Sequence, residues 1–237
     1  MQILITICAR AGSKGIPGKN TKPLNGIPLI EYTINMAIEF AKIFDAKIAI
    51  STDDEKIKNI VNLFGIETSY NRPEYLATDS AGKIETIFDI LKYEENKTSK
   101  QFDYILDLDV TSPLRTLEDL QNGLNIILKN AEILNLFSVN IANKNPYFNM
   151  VEEKEDGYFN LVKEGNFLTR QSANKVYELN ASFYFYKRVF FNNPNAKVIN
   201  NRSFIYLMPH ICFDLDHMID FDFLEFLLKN NKINFNF

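Results

Sequence analysis

The stretch that decides the fold is QILITIC at residues 2–8, followed by ARAGSKGIPGKN at residues 9–20. The first part is apolar and β-branched, which is typical of a strand buried on both faces of a parallel sheet. The second part carries three glycines and three cations: Gly12, Gly15, Gly18, Arg10, Lys14 and Lys19. Glycines let backbone N–H groups approach a ligand closely, and fixed cations beside them suit a triphosphate. We therefore predict a phosphate-binding loop at the carboxyl end of the first strand; the alternative is a solvated basic turn.

Beyond this loop, helix and strand patterns alternate up to about residue 140. Apolar residues at helical spacing predict helices over residues 29–44, 55–64, from Asp79 or Ser80 to about residue 95, and over residues 116–130. Short β-branched or apolar runs predict strands over residues 47–51, 66–70, 102–108 and 134–140. This alternation favours a doubly wound, mostly parallel α/β sheet with right-handed crossovers.

The pattern changes after residue 145. Residues 146–178, called the arm below, are polar and hairpin-like, with a turn predicted at residues 155–157. A strand at 181–186, a loop or short helix at 191–201, a strand at 203–208 and a helix at 220–229 are predicted to follow. A chain of 237 residues suits one large domain, so we predict a single domain over residues 1–237 with the arm inserted in it.

Composition excludes several classes of protein. The net charge of −4 argues against bulk nucleic-acid binding, which needs a basic face. Two cysteines, expected as small buried residues, give no disulfide framework, and two histidines leave little for a zinc site or a Ser-His-Asp triad. No signal peptide and no apolar run long enough to cross a bilayer is visible, so we expect a cytoplasmic protein without a membrane partner.

A second charged motif, DLD at residues 214–216, places two carboxylates in alternation. On an extended segment Asp214 and Asp216 would face the same side, and paired carboxylates suit Mg²⁺. The alternative is a pair of solvated loop aspartates. Asp220, four residues on from Asp216, is expected to be the N-cap of the last helix.

Five stretches resemble, in order, the signature motifs of the acylneuraminate cytidylyltransferases. They are RAGSKGIPGKN (10–20), RPEYLATD (72–79), TSPLR (111–115), YELNASFY (177–184) and DLDHMIDF (214–221). The resemblance implies a Rossmann-like nucleotidyltransferase fold and a Mg²⁺-dependent enzyme. Such an enzyme condenses CTP with a nine-carbon 2-keto sugar acid (a nonulosonic acid) to give a CMP-sugar and pyrophosphate. It also implies a homodimer, in which the arm helps to close the partner's sugar site.

The resemblance further assigns roles to individual residues. Implied for the nucleotide are Arg10, Ser13, Lys14, Lys19, Asn20, Arg72, Ala81, Thr111 and Ser112. Implied for the sugar are Asp109, Arg170, Gln171 and Tyr184, and for the metal Asp214 and Asp216. Lys19, Arg10 and Asp216 are the predicted catalytic residues. Arg72 could instead pair with Glu74, Tyr184 could be a core aromatic, and Arg115 could either pin its loop or touch the ligand.

The identity of the sugar rests on departures from the neuraminate pattern. Asp109 stands where the neuraminate enzymes commonly have Gln, and Glu178 and Leu179 replace an Arg-Pro pair. These forms look more like the legionaminate branch, so a legionaminic or sialic acid type is expected. Asp109 either helps to hold the metal, accepts hydrogen bonds from the sugar, or bonds to its own loop.

Other functions remain open from the sequence alone. The alternatives are a cytidylyltransferase for pseudaminate or 3-deoxy-manno-octulosonate, a sugar-nucleotide pyrophosphorylase that uses UTP or GTP, and a non-catalytic nucleotide-binding protein of this fold. The general base is not identified by any motif, and neither is the number of magnesium ions.

Overall fold

A computed structural model describes residues 1–13, 15–233 and 235 of the chain. Its strands are β1 (Ile3–Cys8), β2 (Pro23–Leu24), β3 (Ile27–Pro28), β4 (Lys47–Ser51), β5 (Tyr104–Leu108), β6 (Asn135–Ile141), β7 (Val151–Glu153), β8 (Phe159–Leu161), β9 (Tyr177–Lys187) and β10 (Ser203–Leu207). Six of them form one sheet in the order β10-β6-β9-β5-β1-β4. The pairs β2-β3 and β7-β8 form two small sheets of their own.

The central sheet is mostly parallel. β1 pairs in parallel with β4 and β5, and β10 does so with β6. β9 is antiparallel to both of its neighbours, β5 and β6. β1 lies between β4 and β5. The chain therefore passes from β1 to β4 on one side, and then crosses back to β5 on the other side of β1. This reversal puts a topological switch point, the usual place for a ligand in an open α/β sheet, at the carboxyl ends of β1 and β5.

Helices cover both faces of the sheet. They are α1 (Leu29–Phe44), α2 (Glu55–Leu63), α3 (Lys83–Thr98), α4 (Leu117–Lys129) and α5 (Met218–Lys229). Side chains alternate between the faces of a strand, so Ile5 and Leu106 face α1, α4 and α5 in one core. Leu4 and Ile105 face the opposite way, into a second core with α3. The predicted doubly wound α/β fold is therefore confirmed.

Local capping explains several helix ends. The Asp54 side chain accepts a hydrogen bond from the Lys56 N–H and so caps α2, as predicted. Gly65 follows α2 with φ 71°, a left-handed conformation that glycine adopts without strain. Thr116 and Asp119 form a capping box at the start of α4, where each satisfies the backbone N–H of the other.

Four sequence predictions about element boundaries are wrong. The strand predicted at residues 181–186 is the longer β9, which begins at Tyr177, within the segment predicted as the arm. Residues 66–70 form no strand in the described chain; the Thr68 hydroxyl bonds to the Ile50 carbonyl, but no backbone ladder forms beside β4. α3 begins at Lys83 after Gly82 rather than at Asp79 or Ser80, because residues 78–81 form a separate turn. Asp220 is the third residue of α5, where it accepts hydrogen bonds at the helix start, and His217 occupies the N-cap.

The arm leaves and rejoins the sheet at the ligand edge, between the end of β6 and the start of β9. Its β7-β8 hairpin turns at Gly157, whose φ is 80°, within the predicted turn. β9 carries a register shift against β6, and Ala181 there has φ 59°, an unusual conformation for a residue with a Cβ. None of the helices in the described part of the chain is both long and apolar enough to span a membrane.

Candidate active site

Two adjoining cavities lie at the switch point, of about 310 and 190 Å³. Both are lined by Cys8, Arg10 and Asp109, which follow or end β1 and β5. The larger cavity is also lined by Gly12, Ser13, Gly15, Lys19, Asn20, Thr111 and Asp216. The smaller cavity is also lined by Arg72, Leu76, Thr78, Asp79, Ala81, Lys83 and Thr86. Most of the residues implied for the nucleotide therefore meet at one edge of the sheet.

The glycine-rich loop is closed on itself and packed against the DLD segment. The Asn20 amide donates to the Arg10 carbonyl at 2.9 Å, which ties the end of the loop to its start. A Cβ on Gly15 would lie 2.0 Å from the Asp216 carbonyl oxygen, so only glycine permits this backbone contact. The loop and the DLD segment thus form adjoining walls of the larger cavity. Lys14 lies outside the described residues.

Lys19 connects these two walls. Its ammonium donates to the Leu215 carbonyl at 2.7 Å and lies 3.9 Å from Oδ1 of Asp216. The Lys19 side chain is only 13% exposed, whereas that of Asp216 is 68% exposed. A cation fixed at the cavity wall can neutralise charge on a bound anion with little rearrangement of its own.

The two aspartates of the DLD segment have different surroundings. Burial, with the nearby charge of Asp109, raises the pKa of Asp214. Its Oδ1 is buried and has no hydrogen-bond partner among the described residues. An unpaired buried carboxylate oxygen beside the exposed Asp216 carboxylate suits a cation. No group of three or more His, Cys, Asp or Glu in the described chain could hold a metal, so substrate oxygens or water would have to complete such a site.

The smaller cavity has a guanidinium on its wall. Nε of Arg72 donates to the Ser51 hydroxyl at 2.9 Å, and Nη2 donates to the Ser51 carbonyl at 3.0 Å. Arg72 is buried and held by β4, so the ion pair with Glu74 considered from the sequence does not describe it. Arg10, on the wall between the cavities, lies 2.7 Å from the Asp79 carboxylate.

Asp109 bonds both to its own loop and to Lys83. Oδ1 accepts from the Thr111 N–H at 3.0 Å and from the Thr111 hydroxyl at 2.8 Å. Oδ2 accepts from the Lys83 ammonium at 2.8 Å. Burial alone would raise the pKa of Asp109, but Lys83 and the Thr111 hydrogen bonds outweigh it and bring the pKa to about 2. Asp109 is therefore an ionised carboxylate with partners on both oxygens.

Three residues of the motifs are held inside the protein. The Ser112 hydroxyl bonds to the Phe213 carbonyl at 3.2 Å and lies 3.3 Å from the Cys212 sulfur. The buried guanidinium of Arg115 donates to the carbonyls of Asp109 and Ser182, so it pins the loop after β5. Tyr184 is buried in the second core, with the Lys83 ammonium 4.2 Å from its ring centroid.

The other residues implied for the sugar lie elsewhere. Arg170 and Gln171 line a cavity of about 470 Å³ formed by the arm and the end of β6, which shares no lining residue with the two nucleotide-side cavities. Nη2 of Arg170 donates to the carbonyls of Ala142 at 2.9 Å and of Asn143 at 2.7 Å. Within the protomer the structure thus brings Asp109 to the two cavities at the switch point and leaves Arg170 and Gln171 on the arm.

Lys83 and Cys8 line the cavities but were not selected from the sequence. Lys83 is the first residue of α3, where a cation is disfavoured by the helix dipole, and such a lysine indicates a nearby counter-charge. The sequence prediction started this helix at Asp79 or Ser80. Lys83 was therefore not recognised as the first helical residue, and the signal was missed. Cys8 is half-buried, and burial, with Asp107, raises its pKa to about 12, so the thiol is protonated at neutral pH.

A protein-family model described as Cytidylyltransferase matches residues 4–231. The chain belongs to the cytidylyltransferase family. This confirms the resemblance drawn from the five motifs and the expectation of a nucleotidyltransferase enzyme.

Two relatives and a solved structure show the extent of the similarity. The cytidylyltransferase is 38% identical to post-translational flagellin modification protein B of Campylobacter coli, over 98% of this chain and 97% of the relative. It is 36% identical to CMP-N,N'-diacetyllegionaminic acid synthase of Campylobacter jejuni, with the same coverage. CMP:2-keto-3-deoxy-manno-octonic acid synthetase complexed with CTP superimposes with a TM-score of 0.69 at 15% identity, covering 98% of this chain and 100% of that one. The last comparison shows a shared fold.

Proposed function

We propose that the enzyme transfers the cytidylyl group of CTP to a nine-carbon 2-keto sugar acid of the legionaminic acid type and releases pyrophosphate. The observation that carries this proposal is the meeting of the glycine-rich loop, Lys19 and the Asp216 carboxylate around one cavity at the switch point. A basic loop beside the Asp216 carboxylate, with the buried Asp214 two residues away, provides for a triphosphate and for a divalent cation in the same place.

The reaction requires that the protein position CTP and the sugar acid and neutralise their charge; it does not require a covalent intermediate on the protein. The anomeric hydroxyl of the sugar acid attacks the α-phosphorus of CTP, and the bond to the β-phosphate oxygen breaks. Arg10, Ser13 and Asn20 border the larger cavity, where they suit the phosphates and ribose, and Lys19 suits the leaving pyrophosphate. Arg72 and Ala81 border the smaller cavity, which suits the cytosine base.

Asp214 and Asp216 are the residues that would hold Mg²⁺. The buried, unpaired oxygen of Asp214 and the exposed carboxylate of Asp216 support this assignment. When bound, the ion would neutralise phosphate charge that Lys19 and Arg10 do not reach. Thr111 and Ser112 support the DLD segment: the Leu215 N–H donates to the Thr111 carbonyl at 2.9 Å, and the Ser112 hydroxyl donates to the Phe213 carbonyl at 3.2 Å.

A legionaminic acid type of acceptor is supported by two relatives, 36% and 32% identical, that are named CMP-N,N'-diacetyllegionaminic acid synthases. Asp109 also supports it. An ionised carboxylate only accepts hydrogen bonds, which matches an acceptor that presents N–H groups, and its charge is balanced by Lys83.

The arm is proposed to complete the acceptor site of a second copy. Arg170 and Gln171 lie on it, in a cavity apart from the nucleotide side. Several of its apolar side chains are exposed: Val151, Tyr158, Phe159 and Leu168. Apolar side chains grouped on one projecting segment are typical of a contact between proteins. We therefore propose a cytoplasmic homodimer.

The test is a matrix of nucleotides and acids. Pyrophosphate release and the mass of the product are measured for CTP, UTP, GTP and ATP. Each nucleotide is combined with N,N'-diacetyllegionaminate, N-acetylneuraminate, pseudaminate and 3-deoxy-manno-octulosonate. We expect CTP with the legionaminate to give the highest kcat/KM and a CMP-sugar product. Turnover with another nucleotide would contradict the CTP assignment, and a preference for another acid would contradict the acceptor alone.

A further inference from the structure

Lys83 lies between two carboxylates on the wall of the smaller cavity. Its ammonium is 3.0 Å from Oδ2 of Asp107 and 2.8 Å from Oδ2 of Asp109. On a third side it lies 4.2 Å from the centroid of the Tyr184 ring. An ammonium has three N–H donors, and each of these three directions already holds a partner. Lys83 is therefore placed to act on its neighbours rather than to bind the substrate.

The two carboxylates depend on this ammonium. Asp107 is fully buried in β5, and its Oδ1 accepts from the Thr6 hydroxyl at 2.8 Å. Its Oδ2 has no hydrogen bond of good geometry among the described residues and faces the Lys83 ammonium. Asp109 has Thr111 on one oxygen and Lys83 on the other. Without the ammonium, Asp109 would leave an uncompensated negative charge on the wall of both cavities, which must accept anions, and the buried Asp107 would keep a second one.

The remaining cations near this wall are already engaged. The Arg10 guanidinium pairs with Asp79, and Arg72 bonds to Ser51. Arg115 donates to the backbone carbonyl of Asp109 and not to its carboxylate. Lys83 also keeps its charge: burial alone would lower its pKa, but Asp107 and Asp109 raise it well above the ordinary value. None of these three guanidiniums is placed to substitute for Lys83 at the Asp109 carboxylate.

We propose that Lys83 is a positioning residue that makes the wall between the cavities acceptable to anionic substrates. It neutralises Asp109, which lines both cavities, and it fixes the carboxylate that Thr111 holds from the other side. This inference rests on the proposed function only in that CTP occupies these cavities. The test compares CTP binding when the Asp109 charge is balanced by Lys83 with CTP binding when it is not.

The experiment measures equilibrium binding of CTP by calorimetry, which requires no acceptor, for wild type, Lys83→Met, Asp109→Asn and the double variant. One ammonium and two carboxylates give the cluster a net charge of −1 in wild type, and Lys83→Met changes it to −2. The double variant returns to −1. We expect Lys83→Met to weaken CTP binding about ten- to hundredfold, and the double variant to bind within about threefold of wild type.

Two controls separate charge from folding. Lys92→Met makes the same change on α3 at a half-exposed lysine outside both cavities, and it should leave CTP binding unchanged. Lys83→Arg keeps the charge and should restore most of the affinity. Thermal unfolding is followed for every variant. If Lys83→Met does not fold, the inference is judged from CTP binding by the double variant and by Lys83→Arg.

A loss of CTP affinity of the same size in the wild-type and Asp109→Asn backgrounds would overturn the inference, because it would show that Lys83 acts independently of Asp109. Unchanged CTP binding in Lys83→Met, or lost binding in a folded double variant, would overturn it as well. A wild-type protein that binds no CTP would instead overturn the proposed function.

Discussion

Two regions of the molecule differ in how complete they are within one protomer. One is the crevice, which consists of the two adjoining cavities at the carboxyl ends of β1 and β5, and the other is the arm. In the crevice, Lys19, Arg72 and Asp109 each have partners within the same chain. On the arm, Tyr158 and Leu168 are 74% and 92% exposed. The difference teaches that the crevice, which we propose for the nucleotide, is preorganised by the fold, whereas the arm, which we propose for the acceptor, leaves apolar surface exposed.

The largest effect is expected from the metal pair in the crevice. Asp216→Asn should lower kcat by about a thousandfold, because it removes one of two carboxylates proposed for Mg²⁺ while keeping the shape of the side chain. Steady-state pyrophosphate release measures this, with Asp222→Asn on the exposed face of α5 as the matched control. Wild-type turnover in Asp216→Asn would remove Asp216 from the metal site.

The second-largest effect is expected from a substitution of Lys19. Lys19→Ala is expected to lower kcat about a hundredfold and to weaken CTP binding much less, because its charge matters most as pyrophosphate leaves. Full kinetics in CTP, combined with direct CTP binding, separate the two quantities. Lys42→Ala on the exposed side of α1 is the control. A raised KM for CTP with unchanged kcat would assign Lys19 to ground-state binding instead.

A substitution on the arm should weaken use of the sugar acid and leave CTP binding unchanged. Leu168→Asp is expected to convert a dimer to a monomer and to raise KM for the sugar acid about tenfold, with CTP binding unchanged. Light scattering and calorimetry measure the two outcomes. Leu63→Asp, at a side chain 84% exposed at the end of α2, is the control for an added surface charge. A fully active monomeric wild type would contradict the division of the site between protomers.

Asp109 lies where the two halves should meet. Asp109→Gln replaces an acceptor by an amide that also donates, so the ratio of kcat/KM for N,N'-diacetyllegionaminate over N-acetylneuraminate should fall about tenfold. Competition between the two acids, with product masses as the readout, gives the ratio directly. An unchanged ratio would mean that Asp109 serves only its own loop and Lys83.

The smallest effect concerns a contact outside the crevice, at the start of α4. Nε2 of His210 lies 2.8 Å from Asp119, and Nδ1 lies 3.0 Å from the Ile211 carbonyl, so both ring nitrogens face acceptors. Burial alone would lower the pKa of His210, but these partners raise it. The stability from this contact is then fully present below the ordinary histidine pKa of about 6.5 and is lost as pH rises through the raised value.

His210→Ala should therefore lower the free energy of unfolding by about 1.5 kcal/mol at pH 6 and by less at pH 9. Urea unfolding of wild type and variant at the two pH values gives the difference. A penalty that grows with pH would contradict a charged His210 bound to Asp119.

Sequence reasoning predicted the parts of the molecule that depend on local pattern. The bounds of α1 and β4 match their predictions because each has a clear apolar period. The strand predicted at residues 66–70 is absent because a five-residue segment does not reveal whether a neighbouring strand offers backbone groups for a ladder. The pairing of Lys83 with Asp109 joins residues 26 positions apart, and no local pattern encodes it. The place of Arg170 in the proposed acceptor site depends on a second copy of the chain, which the pattern of one chain does not contain.

The reversed direction of β9 has a consequence for how such enzymes can diverge. Because β9 starts at the edge where β6 ends, the chain between them can lengthen, shorten or change composition without altering the register of any strand pair in the sheet. The crevice between β1 and β5 lies outside this excursion. If the arm selects the acceptor as proposed, descendants of one ancestor can exchange the arm and acquire a new acceptor while they inherit the crevice unchanged.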